Sequence, residues 1–195
     1  TVRDLLLAAI NMREKRAADA SPLTGLPGNN SIQQAIEAVI RETEPYAIIY
    51  LDLDNFKAYN DSYGFSSGDC MLKTLAQSMV QCCSEKDFLG HIGGDDFVII
   101  TRRRDKESVQ SLCDNIINVF SKLIQPLYSP LDWERGYIIS KDRNGFMDNF
   151  PITTLSIAVV TNYNNSFDES AALSKAIAEV KKLCKQRKGN VVIIV

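Results

Sequence analysis

Hydrophobic positions recur along the chain in two rhythms, and their alternation lays out the elements. From Tyr46 to Leu53 the run YAIIYLDL is β-branched, aromatic and nearly continuous, the pattern of a strand covered on both faces. Ile152 to Thr161 and Val191 to Val195 read as further strands. Phe88-Leu89-Gly90-His91-Ile92 and Phe97-Val98-Ile99-Ile100 flank Gly93-Gly94-Asp95-Asp96, which predicts a hairpin with its turn on the glycines and acids. Helical spacing appears at Ile32, Ala35, Ile36, Val39 and Ile40, with Ser31 as the expected N-cap. It returns from about Gly68 to Cys83, with Met71, Leu72, Leu75, Met79 and Val80 on the buried side, and over residues 105 to 124 through Val109, Leu112, Ile116, Ile117, Phe120 and Leu123. Asp168 to about Lys188 reads as a last helix, and a short one runs from Phe56 to near Gly64.

Two stretches are less regular. Val2, Leu5, Leu6, Ala9, Ile10 and Met12 lie at near-helical spacing ahead of Arg13, Glu14, Lys15 and Arg16, so residues 1–19 predict an amphipathic leading or linker helix before the turn-rich Ser21 to Asn30. Residues 125 to 151 hold Pro126, Pro130, Gly136, Gly145 and Pro151, with Trp133, Arg135, Asp142 and Arg143 among them, and read as an excursion containing one short strand at Gly136 to Ser140. The irregular order of strands and helices around a hairpin fits an α+β fold, a mostly antiparallel sheet with helices on both faces.

Composition narrows the function. At 195 residues, 45% hydrophobic and 24% charged, the chain suits one globular domain. Lys and Arg total 22 against 24 for Asp and Glu; this net charge of -2 argues against a broad basic face for nucleic acid. A single histidine, His91, excludes multi-histidine zinc sites, and its alternation with Ile92 points it away from the face of Asp95. Five cysteines without a CxxC pair suggest neither disulfide framework nor zinc ribbon. No apolar run is long enough to span a bilayer, so the expectation is a cytoplasmic domain without membrane contact of its own. The start at Thr1 suggests an excised domain, with a sensor or regulatory module expected upstream.

Two acidic clusters sit where strands stop: Asp52-Leu53-Asp54 and Gly93-Gly94-Asp95-Asp96. Oxygen-only donors of this kind suit Mg²⁺ or Mn²⁺, which take one or two carboxylates, a backbone carbonyl, waters and substrate phosphates. Either cluster alone is also what an ordinary solvated turn looks like. Taken in order, however, LTGLPG, DLDNFKAYND followed by YG and GD, and GGDDF resemble the GGDEF family of diguanylate cyclases over roughly residues 20 to 195. The resemblance implies a fold similar to polymerase palms and nucleotidyl cyclase catalytic domains. It also implies condensation of two GTP into cyclic dimeric GMP with release of pyrophosphate, across a homodimer in which each domain presents one GTP.

Residue by residue, the resemblance makes Asp52, the Leu53 carbonyl, Asp95 and Asp96 metal ligands, with Asp95 and Asp96 catalytic. Asn55, Phe56 and Lys57 at a helix start, the turn glycines Gly93 and Gly94, and Lys185 match phosphate contacts. Asn60 and Asp69 match the positions that read guanine: a carboxylate accepts from N1–H and the 2-amino group, a donor pair adenine lacks. Without the flanking motif, Asn60 would read as a helix C-cap and Asp69 as an N-cap.

The chain departs from the family pattern in three places. Asp96 stands where the family has Glu; Gly189 stands at the usual Arg position four residues after Lys185, leaving Arg187 or Lys188 to substitute; and Ser84 with Asp87 replaces the RxxD pair of the product-inhibition site. The first two keep a second reading open, a degenerate domain that binds GTP and regulates a neighbouring module. An adenylyl or mixed-nucleotide cyclase is disfavoured by Asp69. The third predicts that cyclic dimeric GMP titrated onto the domain binds weaker than micromolar; submicromolar binding abolished by Asp87→Ala would contradict it.

Overall fold

The computed structural model describes every residue except 1, 4, 5, 9–13, 15–17, 143, 165 and 168. Leu5, Ala9, Ile10, Met12, Arg13, Lys15 and Arg16 of the expected leading helix lie outside the described residues, as do Arg143 and Asp168; Val2 and Leu6 are helical and exposed. In chain order the elements are α1 (Asn29–Ile40), β1 (Ala47–Leu53), α2 (Phe56–Tyr63), α3 (Phe65–Cys82), β2 (Phe88–Gly93), β3 (Asp96–Thr101) and α4 (Lys106–Leu123). A short 3-10 turn (Gln125–Leu127) leads to α5 (Pro130–Arg135), β4 (Tyr137–Lys141), β5 (Met147–Pro151), β6 (Leu155–Thr161), α6 (Ser170–Lys185) and β7 (Val191–Ile194). Among the described residues no helix is long and apolar enough to cross a membrane.

Five strands form one sheet in the order β2-β3-β1-β6-β7, antiparallel except for the β6–β7 pair. β1 is central and covered on both sides, which is why its sequence is an apolar run broken only by Asp52 near its end rather than an alternation. Ile49, Leu51, Leu53, Phe97 and Ile99 face α3 and α4, whereas Ile48, Val98, Ile100, Ala158 and Val160 face α1 and α6. The expected α+β architecture, a mostly antiparallel sheet with helices on both faces, is the observed one.

Several local expectations change. α1 begins at Asn29, so Ser31 lies inside it; the Asp19 carboxylate caps it instead, accepting from the backbone N–H groups of Asn30 at 3.2 Å and Ser31 at 2.7 Å. That cap comes from outside the local sequence, where propensity has nothing to say. Val80 is 57% exposed rather than buried. The excursion over 125–151 contains α5, capped by Ser129, and the expected strand has a partner: β4 and β5 pair as a separate antiparallel hairpin. β5 is exposed at four of five positions, so it carries no alternation to read.

Asn55 joins β1 to α2 with φ 62, the one left-handed non-glycine among the described residues. Asparagine enters that region more readily than other side chains with a Cβ. We therefore expect Asn55→Ala to destabilise the fold by about 1 kcal/mol in urea unfolding, and Asn55→Gly to be close to neutral; equal midpoints for the two variants would contradict this.

Candidate active site

The β1–β3 ladder ends with Asp52 opposite Asp96, and on the other side Asp52 is opposite Ser156 of β6. Because side chains alternate, Asp52 and Asp54 share the α1/α6 face with Asp96. Asp54 accepts from Thr154 Oγ1 at 3.0 Å and from Ser156 Oγ at 2.8 Å, which fixes its orientation. The Asp54 N–H donates to the Thr154 carbonyl on the β6 side. Backbone direction alternates residue by residue, so the Leu53 carbonyl points the other way, toward the Gly94-Asp95 turn just beyond the last β3 pair.

Two lysines of α6, one helical turn apart, are laid over these acids. Lys185 Nζ donates to Asp52 and, at 2.7 Å, to Asp54. Lys181 Nζ is 2.6 Å from Asp96 Oδ1 and 3.9 Å from Asp52 Oδ2. Burial pushes the Asp52 carboxyl up from the ordinary carboxylate range; Lys185 opposes the shift, and the charges of Asp95 and Asp96 add to it. Burial alone would lower the Lys185 ammonium, but its bonds and charge contacts with Asp52 and Asp54 outweigh that and leave it raised. As the side chains stand, no three described carboxylate, histidine or cysteine groups close on one point; the ammoniums lie among the acids instead. Lys181 was not singled out by sequence reasoning, and the available signal was its spacing of four from Lys185.

Asp52, Leu53, Asp95, Lys57 and Lys185 line a cleft of about 710 Å³, with Asn55 and Phe56 beside them. Its other wall is the β4–β5 excursion, through Lys141, Asn149 and Phe150, and Arg187, Lys188 and Gly189 also line it. Asp96 is held by Lys181 and is not among the lining residues. Gly93 and Gly94 form the exposed hairpin tip, with φ of 142 and 56. Asn60 and Asp69 do not line the cleft either; they sit where α2 meets α3. α2 runs on to Tyr63 and α3 starts at Phe65, so neither residue is a cap. Asn60 Oδ1 is buried without a hydrogen-bond partner among the described residues. It lies so close to Gly68 that a Cβ there would fall 1.8 Å from it. An unsatisfied buried acceptor costs free energy unless something supplies a donor.

A neighbouring cavity of about 750 Å³, reached through Asp61 and Lys141, is lined by groups already paired together: Tyr63 donates to Asp132, and Asp132 pairs with Arg135 at 2.5 Å. In the β2 approach to the hairpin, Ser84 donates to Asp87 Oδ2 through its N–H at 2.8 Å and its hydroxyl at 3.0 Å, so Asp87 closes a local turn.

His91 lies on the face opposite Asp96, beside Phe97, with their rings stacked 4.2 Å apart. Its Nε2 is 3.0 Å from the Gly94 carbonyl, which can only accept, so Nε2 carries the proton. Nδ1 then accepts from Ser21 Oγ at 2.9 Å and Thr24 Oγ1 at 3.2 Å. His91 thus ties the turn at residues 21–28 to the β2–β3 hairpin.

Helices on both faces of a mostly antiparallel sheet, with acids gathered at the end of its central strand and at an adjoining hairpin, define a domain of the nucleotidyl cyclase-like α+β class. The family described as diguanylate cyclase, GGDEF domain, matches residues 18–135, and the chain belongs to it. Among solved structures, the diguanylate cyclase SiaD of Pseudomonas aeruginosa, crystallised with its activator SiaC, superposes with a TM-score of 0.73 at 18% identity, covering 99% of this chain and 68% of that one. The coiled coil and GGDEF domain of DgcB from Caulobacter crescentus, in complex with c-di-GMP, gives 0.71 at 19% identity, covering 100% and 97%. In sequence, the bifunctional diguanylate cyclase/cyclic di-GMP phosphodiesterase MucR of Pseudomonas aeruginosa is 31% identical over 123 residues, 61% of this chain and 18% of the relative. Diguanylate cyclase DgcZ of Escherichia coli is 34% identical over 87 residues, 44% of this chain and 29% of the relative. The chain thus spans less than a third of either curated relative.

Replacing His91 by Ala removes the hydrogen bonds from both ring nitrogens and leaves the Gly94 carbonyl short of a donor. The expected loss is about 1–3 kcal/mol in chemical unfolding, and an unchanged midpoint would show that the ring carries no such link.

Proposed function

We propose that this chain is a diguanylate cyclase domain that condenses two GTP into cyclic dimeric GMP, with residues 20–195 as the catalytic unit and residues 1–19 leading into it. The carrying observation is that one cleft brings Asp52, Leu53, Asp95, Lys57 and Lys185 together, while the Asn60 oxygen, one turn of α2 from the cleft-lining Phe56 and Lys57, is buried without a hydrogen-bond partner among the described residues.

The donor set fits a divalent cation: Asp52 and Asp95 supply carboxylates, the Leu53 carbonyl points to the same end, and the Asp52 carboxyl, pushed up mainly by burial with a smaller part from Asp95 and Asp96, is one that a bound cation would hold ionised. Asp52, Leu53 and Asp95 would hold Mg²⁺ or Mn²⁺, which when bound neutralises the triphosphate and acidifies the attacking 3′-hydroxyl. Asp95, at the hairpin tip, is placed to accept that hydroxyl's proton. Lys57 and the backbone N–H groups at the start of α2 meet phosphate oxygens. Asn60 and Asp69 receive the guanine edge, and Asp69 discriminates against adenine because it accepts from two donors that adenine does not offer. In each of two transfers the 3′-oxygen of one GTP bonds to the α-phosphorus of the other and the bond to pyrophosphate breaks. Two pyrophosphates leave, and the two substrates are presented by two copies of the domain. An upstream sensor or regulatory module supplies the input.

A second reading is favoured by one feature: Lys181 and Lys185 already pair with Asp96, Asp52 and Asp54, and Gly189 replaces an arginine. In it the domain binds GTP and regulates a neighbour without turnover.

The separating experiment is a product assay with GTP and Mg²⁺ on the chain alone and fused to a dimerising coiled coil, paired with a calorimetric GTP titration. Cyclic dimeric GMP formation, lost by about a hundredfold or more in Asp95→Asn, supports the cyclase. GTP binding with no product from the dimerised form supports the regulator, and product formation unaffected by Asp95→Asn contradicts both the site and its chemistry.

A further inference from the structure

Lys181 has no part in the chemistry above, yet it is the group closest to Asp96. Its place is set by packing: Leu173, Ile177, Val180 and Cys184 of α6 are buried in the same core as Ile48, Val98, Ala158 and Val160 of the sheet. That seating carries the polar edge of the helix over the ends of β1 and β3. Lys181 Nζ lies 2.6 Å from Asp96 Oδ1 and 3.9 Å from Asp52 Oδ2, with side-chain exposures of 30%, 34% and 16% for the lysine, Asp96 and Asp52.

A lone exposed ion pair of this length would contribute little. Here the setting differs, because Asp96 is the register partner of Asp52 and follows Asp95, so three carboxylates crowd one strand end. Lysine is a compact ammonium that only donates, and a cation already bonded to Asp96 repels a second cation approaching the same acids. We propose that Lys181 is a positioning residue that acts as a resident counter-cation for Asp96 and competes with divalent metal for the carboxylate cluster. The inference rests on reading that cluster as the metal site. Its consequence is that metal without nucleotide binds weakly, and that the phosphates of a nucleotide are needed to draw the metal in and free Asp96 from Lys181.

The test titrates Mn²⁺ onto the nucleotide-free protein, reading free Mn²⁺ by electron paramagnetic resonance, for wild type, Lys181→Met and Lys181→Arg. Removing one unit charge beside the site should tighten Mn²⁺ binding about tenfold in Lys181→Met, while Lys181→Arg, which keeps the charge, stays near wild type. Lys181→Gln replaces the methionine variant if that one does not fold, and Mn²⁺ should raise the unfolding temperature of the neutral variant more than that of wild type. Equal Mn²⁺ affinity in wild type and the neutral variant overturns the proposal. Adding Asp52→Asn separates the two failures. If Mn²⁺ binding needs Asp52 but ignores Lys181, only the competition is wrong. If it ignores Asp52 as well, the cluster is not the metal site and both readings fall.

Discussion

The pairing of β1 with β3, in the register that sets Asp52 opposite Asp96, is the constraint on which the site depends. A slip of one residue would turn Asp52 and Asp54 toward α3 and α4, into a core built from Leu51, Phe97, Ile99 and Met71. Unpaired carboxylates are strongly disfavoured there, so the apolar face of β1 and the acids at its end enforce the same register. The same pairing brings the Gly94-Asp95 turn beside the Leu53 carbonyl and leaves the acids under the polar edge of α6. The site is thus a consequence of how the central strand is buried.

The distribution of charge follows from that placement. A net charge of -2 spread over the chain says nothing against a polyanionic substrate once Lys57, Lys185 and the excursion's Lys141 are found around one cleft. The acids there carry two cations from α6, so their charge is partly compensated before any ligand arrives. His91 works on the opposite face, where its two nitrogens join the turn at residues 21–28 to the hairpin carbonyl. The stability of that hairpin is therefore linked to the turn at residues 21–28.

Much of this was legible in the sequence, for definite reasons. β1 and the β2–β3 hairpin announce themselves because a doubly covered strand is continuously apolar and a glycine-acid turn between two apolar runs has few alternatives. The family pattern carried Asp52, Leu53, Asp95, Lys57 and Lys185, which the structure brings to one cleft. What escaped depended on distance in the chain. The Asp19 cap on α1 spans about eleven residues, so Ser31 looked like the nearer candidate. β5 is solvent-exposed on nearly every position and gives no period, so the excursion was read with one strand and its role as a cleft wall was not seen. Lys181 resembles any lysine on a solvated helix until the packing of Val180 and Cys184 fixes which way that helix faces.

The central claim is that the cleft at the end of β1 is where a metal-bound guanine nucleotide sits. Anomalous diffraction from crystals grown with Mn²⁺ and a non-hydrolysable GTP analogue tests it directly. The account predicts a Mn²⁺ peak at about 2.0–2.3 Å from Asp52 and the Leu53 carbonyl, with the base edge on Asn60 and Asp69. A nucleotide bound in the neighbouring cavity beside Tyr63 and Arg135, or a metal peak that does not touch Asp52, would contradict it.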